Sequence, residues 1–370
     1  MNNAERISLS LKVQRECGIQ MNPDAAIGKK IEADGFRRVH SELYDGLLAY
    51  QGAEHPQTGE SRLYQWTAAE GVWWIPRPTG NEPVPPPDPP KGRLKTLIGL
   101  HARADGGDLD EDEFVEFRDL RPGIIKVMSS TSAESVQNLA LENHPSIWVI
   151  RAFLSFANGR TVFPEEFVEW TYPDVERTIA IIQEVGSLGE IVVELHNEPN
   201  LSTEGLTHSW SNGQFAGWIN KVLVAYRREM PDIEYCYPGL SPGKDMDRPV
   251  IRRNHLSFLR ETRKAINEFD YLGCHAYWGE GGNMQEALEV VANTQHMFPH
   301  KPILVTEASN NSSHPSAATK SAEYAHFARL LGDHGLADGV TYFVASASNP
   351  TFEPETWAGK GIGKMTRRAI

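Results

Sequence analysis

EIVVELHNEP, residues 190–199, runs from a continuous apolar stretch straight into an amide, a carboxylate and a proline. Read locally, it is a strand that stops in a turn, because proline cannot donate to a ladder and asparagine tolerates turn conformations. Read as a parallel strand buried on both faces, it delivers its last side chains to the carboxyl edge of a sheet, where chemistry gathers on such scaffolds. The surrounding sequence decides between the two.

Seven further runs have the same character: KTLIGLHA (95–102), GIIKVMS (123–129), IWVIRAF (147–153), IEYCYPG (233–239), YLGCHAY (271–277), PILVTEA (302–308) and GVTYFVA (339–345). Amphipathic stretches such as SAESVQNLALEN, FAGWINKVLVAYRREM and SAEYAHFARLLGD lie between them, with Ser or Asn near several starts as caps. Strands alternating with helices imply a parallel sheet with crossover helices, and eight strands are what a closed barrel requires. The expected fold class is therefore α/β, a (β/α)8 TIM barrel over residues 93–370. The tail NPTFEPETWAGKGIGKMTRRAI is a poor final helix, which keeps a doubly wound open sheet as the alternative.

The proline-dense stretch PRPTGNEPVPPPDPPKG, residues 76–92, reads as an extended polyproline II linker. Before it, residues 1–75 read as a small α+β accessory module: 5–34 largely helical, and ESRLYQWTAAEGVWWI (60–75) two aromatic strands around a turn. Trp73 and Trp74 are either the core of that hairpin or a platform for a sugar ring.

The 370 residues carry a net charge of -13, which disfavours nucleic acid and anionic membrane as partners and suits a neutral substrate. Cys17, Cys236 and Cys274 are too scattered for a disulfide framework or zinc cluster, and the latter two sit in apolar runs as small core residues. The N-terminus has no apolar core of an export signal and no run approaches a membrane span, so the expectation is a cytoplasmic protein, with extracellular release left open.

On a barrel, the residues ending each strand converge on one face. They are His101 and Arg103 from strand one, Arg151 from three, Asn197 and Glu198 from four, His275, Tyr277 and Trp278 from six, and Glu307 from seven. Two convergent carboxylates with aromatic and imidazole neighbours suit glycoside cleavage, in which one acid protonates the leaving oxygen and the other attacks or stabilises the anomeric carbon. No cluster with metal-ligand spacing accompanies them, so neither a metal nor another cofactor is expected. His196 alternates away from these residues and reads as a core histidine. For His101, Arg103 and Arg151 the plainer reading is a supporting salt bridge.

HNEPNL (196–201), VTEAS (305–309) and HAYWG (275–279) resemble the signatures of clan A glycoside hydrolases, retaining enzymes on β/α barrels, and are most similar to those of glycoside hydrolase family 39. The resemblance spans about residues 94–350. It implies that Glu198 is the acid/base, Glu307 the nucleophile and Asn197 a ligand of the sugar 2-hydroxyl, with Tyr277 or His275 holding Glu307. The clan's usual arginine comes from strand two, where this chain has Lys126, and Arg151 is a candidate for the same task. Strand eight, YFVASASNP, lacks the tryptophan that many members place under the cleaved sugar, leaving Trp278 or Phe343 for that task. The implied function is a retaining hydrolase of β-linked O-glycosidic bonds in an oligo- or polysaccharide. The alternatives are a transglycosylase using the same glutamates and a non-catalytic carbohydrate-binding protein on this scaffold.

Overall fold

A computed structural model describes residues 29–35, 37–44, 48–54, 61–67, 71–76 and, from 96 to 370, all but 155, 157–161, 203, 205–211, 247–250 and 281. The chain divides into two compact units, Met1–Asp88 and Pro89–Ile370. In the first, a helical turn at 29–33 precedes an antiparallel sheet of β1 (Arg37–Tyr44), β2 (Leu48–Glu54), β3 (Ser61–Thr67) and β4 (Gly71–Pro76), paired in sequence order. The hairpin expected at 60–75 is β3 and β4, and two further strands extend it. The helical expectation before residue 29, the polyproline spacer, Cys17 and the side chains of Trp73 and Trp74 lie outside the described residues.

The second unit is the expected barrel. Its strands are β5 (Leu97–His101), β6 (Ile124–Met128), β7 (Ile147–Ala152), β8 (Glu190–Leu195), β9 (Glu234–Tyr237), β10 (Tyr271–Trp278), β11 (Ile303–Asn310) and β12 (Gly339–Tyr342). Neighbours pair in parallel, and β12 pairs with β5, so the sheet closes and the open-sheet alternative is excluded. The helices are α1 (Glu111–Leu120), α2 (Ala133–Glu142), α3 (Pro164–Glu184), α4 (Asn212–Glu229), α5 (His255–Glu261), α6 (Arg263–Glu268), α7 (Met284–Met297), α8 (Ala317–Asp333) and α9 (Ile362–Ala369). Among the described residues, no helix is long and apolar enough to cross a membrane.

Local chemistry explains these boundaries. Ser132 and Ser316 accept amide hydrogen bonds at the starts of α2 and α8, and Asp110 and Asn283 form capping boxes with Glu113 and Glu286 at α1 and α7. The tail departs from expectation: a 3-10 turn, Pro350–Glu355, leads into α9, which packs against α1 and α8. Sequence pattern misses α9 because its support is remote, in the buried carboxylate of Glu116 on α1.

The barrel interior is layered. At the amino-terminal end of the strands Ile124, Ile147, Val149, Val192, Cys236 and Leu304 make an apolar plug. One step further along the same strands stand Lys126, Arg151 and Glu194, all buried. Outward-facing Ile191, Val193 and Leu195 pack instead into the layer between sheet and helices. Cys236 and Cys274 are free and buried. Alternation along a strand thus sends one set of side chains to the helices and the other into a stack that ends in charge.

Candidate active site

The strand β8 stops in a tight turn with two non-glycine residues in the left-handed region, His196 at φ 84° and Glu198 at φ 35°. Such backbone is costly for residues with a Cβ and persists where surrounding contacts over-determine it. The Glu198 amide donates to the Gly239 carbonyl at 3.0 Å, and its own carbonyl accepts from Leu201 at 2.8 Å. Asn200, fully buried, donates to the carbonyls of Ser241 and Arg253 and accepts from the Ser241 amide. The turn is therefore tied to the loop after β9, and it presents Glu198 at the barrel mouth.

Glu307 reaches the same place from β11 because of a bulge. The pairing register of β11 with β12 shifts between Val305 and Ala308, and that of β10 with β11 between Cys274 and His275. Consecutive residues then both serve the interior: the Thr306 hydroxyl donates to Glu194 at 2.7 Å, while Glu307 meets Arg151.

The charges form one buried chain. Glu194 receives Lys126 and Arg151, each at 2.9 Å, and the same two cations reach Glu307 Oε1, Arg151 at 2.5 Å and Lys126 at 3.4 Å. Burial opposes charge on Glu307, but Arg151, then His275 and Lys126, overturn it and hold the carboxyl well below its usual range. Glu194 is held low in the same way, chiefly by Arg151 against its own burial. Tyr277 donates its hydroxyl to Glu307 Oε2.

His275 stands between the carboxylates. Its Nδ1 lies 2.8 Å from Glu198 Oε1 and 3.6 Å from Glu307 Oε2, and its Nε2 lies 3.4 Å from the Arg151 guanidinium. An oxygen of each carboxylate and a His275 ring nitrogen fall within 4.8 Å of one another. Three such atoms could face a cation, but Arg151 and Lys126 already bring two positive charges to Glu307, which disfavours a third.

Two other expected residues line this cluster. His101 is fully buried, its ring 5.6 Å from that of Phe343, and burial followed by the charges of Lys126 and Arg151 keeps it neutral far below its usual range. Neither of its ring nitrogens has a partner among the described residues. The Asn197 amide donates to Glu204 at 3.3 Å, leaving its buried carbonyl oxygen without a partner among the described residues.

Two expected residues are placed elsewhere. Trp278, offered above as a sugar contact, is 3% exposed, donates to Glu323 at 3.0 Å and packs against Phe327 in the layer under α8. Alternation explains the correction, since Tyr277 faces in and its neighbour must face out. Phe343, the other residue considered for that contact, lies edge-on to Tyr277, ring centroids 6.3 Å apart. Arg103 turns to the Asp108 carbonyl at 3.5 Å and to the field of Glu113, not to the two glutamates. His196 is buried among Phe153, Phe156, Phe167, Phe215 and Trp218.

Sequence reasoning missed Glu194, Glu204, Glu355 and Gly239. Burial, then Glu198, raises the carboxyl of Glu204. Burial, with Glu307 adding to it, pushes Glu355 up to about 7, although the Ser309 hydroxyl works the other way. An acidic residue inside an apolar strand, as in VVEL, is the one signal that would have flagged Glu194.

Comparison of the chain with models of known protein families and with curated proteins found no match. Among solved structures it is similar to GH26A from Muricauda sp. MAR_2010_75, with 11% identity, a TM-score of 0.46 and coverage of 73% of this chain and 88% of that one. It is similar also to AbfB, a family 51 α-L-arabinofuranosidase from Bifidobacterium longum, at 11% identity and TM-score 0.46 over 75% and 72% of the two chains. A family 39 glycoside hydrolase from Bacteroides cellulosilyticus WH2 shares 15% identity at TM-score 0.43 over 88% of this chain and 76% of that one.

Proposed function

We propose that the protein is a retaining glycoside hydrolase acting on β-linked sugars. The observation that carries this reading is the approach of Glu198 and Glu307, whose oxygens fall within 4.8 Å. Retaining cleavage needs carboxyl groups about 5–5.5 Å apart, whereas inversion leaves room for water at roughly 6.5–9.5 Å.

The roles follow from the surroundings. Glu307, held ionised by Arg151 and Lys126 and aimed by Tyr277, attacks the anomeric carbon and forms a glycosyl ester. Glu198, hydrogen-bonded to His275, gives its proton to the departing glycosidic oxygen, then takes one from the water that hydrolyses the ester. Asn197, beside Glu198, is the ligand for the sugar 2-hydroxyl. His101 and Phe343 supply an imidazole and an aromatic edge to the same pocket.

Charge narrows the substrate. The carboxyls of Glu198, Glu204, Glu307 and Glu355 share this neighbourhood, and its buried cations, Lys126 and Arg151, are already paired. A uronate or sulfated sugar would meet repulsion there, so a neutral sugar is the class that fits.

The test is reducing-end release from β-glucans, xylans, mannans, galactans and peptidoglycan by the wild type and by Glu307→Gln. Release that disappears in the variant is expected. A variant retaining full activity would remove the nucleophile assignment, and no release by either protein would favour a binding role.

A further inference from the structure

We infer that Gly239 is a positioning residue for the acid/base: the space left by its missing side chain is where the His275 ring stands against Glu198. The inference rests on the role proposed for Glu198.

Gly239 lies just past β9, and five residues meet on it. Its amide donates to Glu194 Oε1 at 3.3 Å, and its carbonyl accepts from the Glu198 amide at 3.0 Å. A Cβ on Gly239 would stand 2.2 Å from His275 Cδ2, 2.3 Å from Nε2 and 3.0 Å from Thr306 Oγ1. Its φ is not left-handed, so glycine is required here for room and not for backbone freedom. From the other side, a Cβ on Gly273 would come within 2.6 Å of the Gly239 amide nitrogen, so β10 also presses on Gly239 with no side chain between.

Both partners of the 2.8 Å contact between His275 Nδ1 and Glu198 Oε1 are thus referenced to one residue. The carbonyl of Gly239 fixes the strained turn that carries the carboxyl, and its bare Cα sets how deep the imidazole sits. Glu194 ties that same backbone to the cations that hold Glu307. A methyl group at 239 would push the ring off Glu198 while leaving Arg151, Lys126 and Tyr277 on Glu307. The proton-transfer half of the site would suffer most, while the nucleophilic half would lose only the weaker His275 contribution to Glu307 and keep those of Arg151 and Lys126.

The experiment compares the wild type with Gly239→Ala, His275→Ala and the double variant. Substrates are the tetrasaccharide of whichever glycan is cleaved and the matching 2,4-dinitrophenyl glycoside, whose leaving group needs no proton. Gly239→Ala is expected to lower kcat/KM, which reports formation of the glycosyl ester before Glu198 acts as base, about a hundredfold on the tetrasaccharide and at most about threefold on the aryl glycoside. The double variant should match His275→Ala, because the severe contacts at 2.2 and 2.3 Å are then gone and the one with Thr306 Oγ1, at 3.0 Å, needs only a shift of tenths of an ångström. Equal losses on both substrates, or additive losses in the double variant, would overturn the inference.

A readout independent of turnover separates this inference from the assignment beneath it. With ¹⁵N-labelled histidine, and His275→Ala to identify the resonances, both Gly239→Ala and Glu198→Gln should displace the His275 ring signals. Unmoved signals in Gly239→Ala overturn the inference whether or not any glycan is cleaved. Displaced signals in a protein that cleaves nothing uphold the contact and sink the catalytic role of Glu198. Should Gly239→Ala fail to fold, folding of the double variant upholds the steric argument, and failure of both overturns it.

Discussion

Glu307 is ionised because Arg151 at 2.5 Å, helped by His275 and by Lys126 at 3.4 Å, outweighs its burial. Removing a cation should therefore raise its folded pKa, and the acid limb of kcat/KM against pH should move upward. For Arg151→Met we expect a displacement of about 1–3 pH units, and for the more distant Lys126→Met a smaller one. Profiles measured on an activated aryl glycoside check this, and unmoved acid limbs in both variants would refute the charge chain. Much of this residue-level detail was legible in the sequence, since strand ends name Arg151, Glu198, His275, Tyr277 and Glu307. Glu194 was not, because inward parity in a barrel strand is shared by the apolar plug below and the charged layer above. Trp278 was misplaced for the converse reason: two consecutive residues after a strand were both assigned to one face, which alternation allows only at a bulge.

At the level of elements, the strands and most helices follow from runs and caps that lie close in sequence. The exception, α9, is a case of remote capping. Gly361, in the left-handed region at φ 66°, starts the helix without a side-chain cap. Glu116 on α1 supplies the acceptor, receiving the amides of Gly361 at 2.7 Å and Gly363 at 2.6 Å. A carboxylate at a helix N-terminus complements the helix dipole, and a partner 245 positions away leaves no local pattern to read. Glu116→Ala should therefore destabilise the barrel by about 1–3 kcal/mol, since one buried and one half-buried amide lose their acceptor. Hydrogen exchange should quicken first at 362–369. A variant that melts with the wild type, or exchanges fastest elsewhere, would show that α9 is held by its apolar contacts alone.

For the whole molecule, buried titratable groups set opposing dependences of stability on pH. His101, His196 and His255 are held neutral, chiefly by burial, with His196 lowered to about 3. Below pH about 6.5 the unfolded chain binds protons that these folded residues refuse, so each makes stability fall as pH falls. Glu113, Glu116, Glu204 and Glu355 are raised by burial, so the folded chain binds protons that the unfolded chain has released. They make stability fall as pH rises above the usual carboxylate range, toward about 7 for Glu355. Glu194 and Glu307 are lowered, and their contribution, present above that range, is lost as pH falls below it. His196 isolates one of these effects, because its ring is buried among aromatic side chains and its nitrogens have no partner among the described residues. His196→Phe should reduce the loss of unfolding free energy between pH 6 and pH 4.5 by up to ~1.4 kcal/mol per pH unit, read from urea unfolding at both values. The slope carries the prediction, since the left-handed backbone at 196 penalises phenylalanine equally at every pH. An unchanged slope would mean that His196 takes up its proton while folded, and the aromatic cage around it would then have to admit a charge.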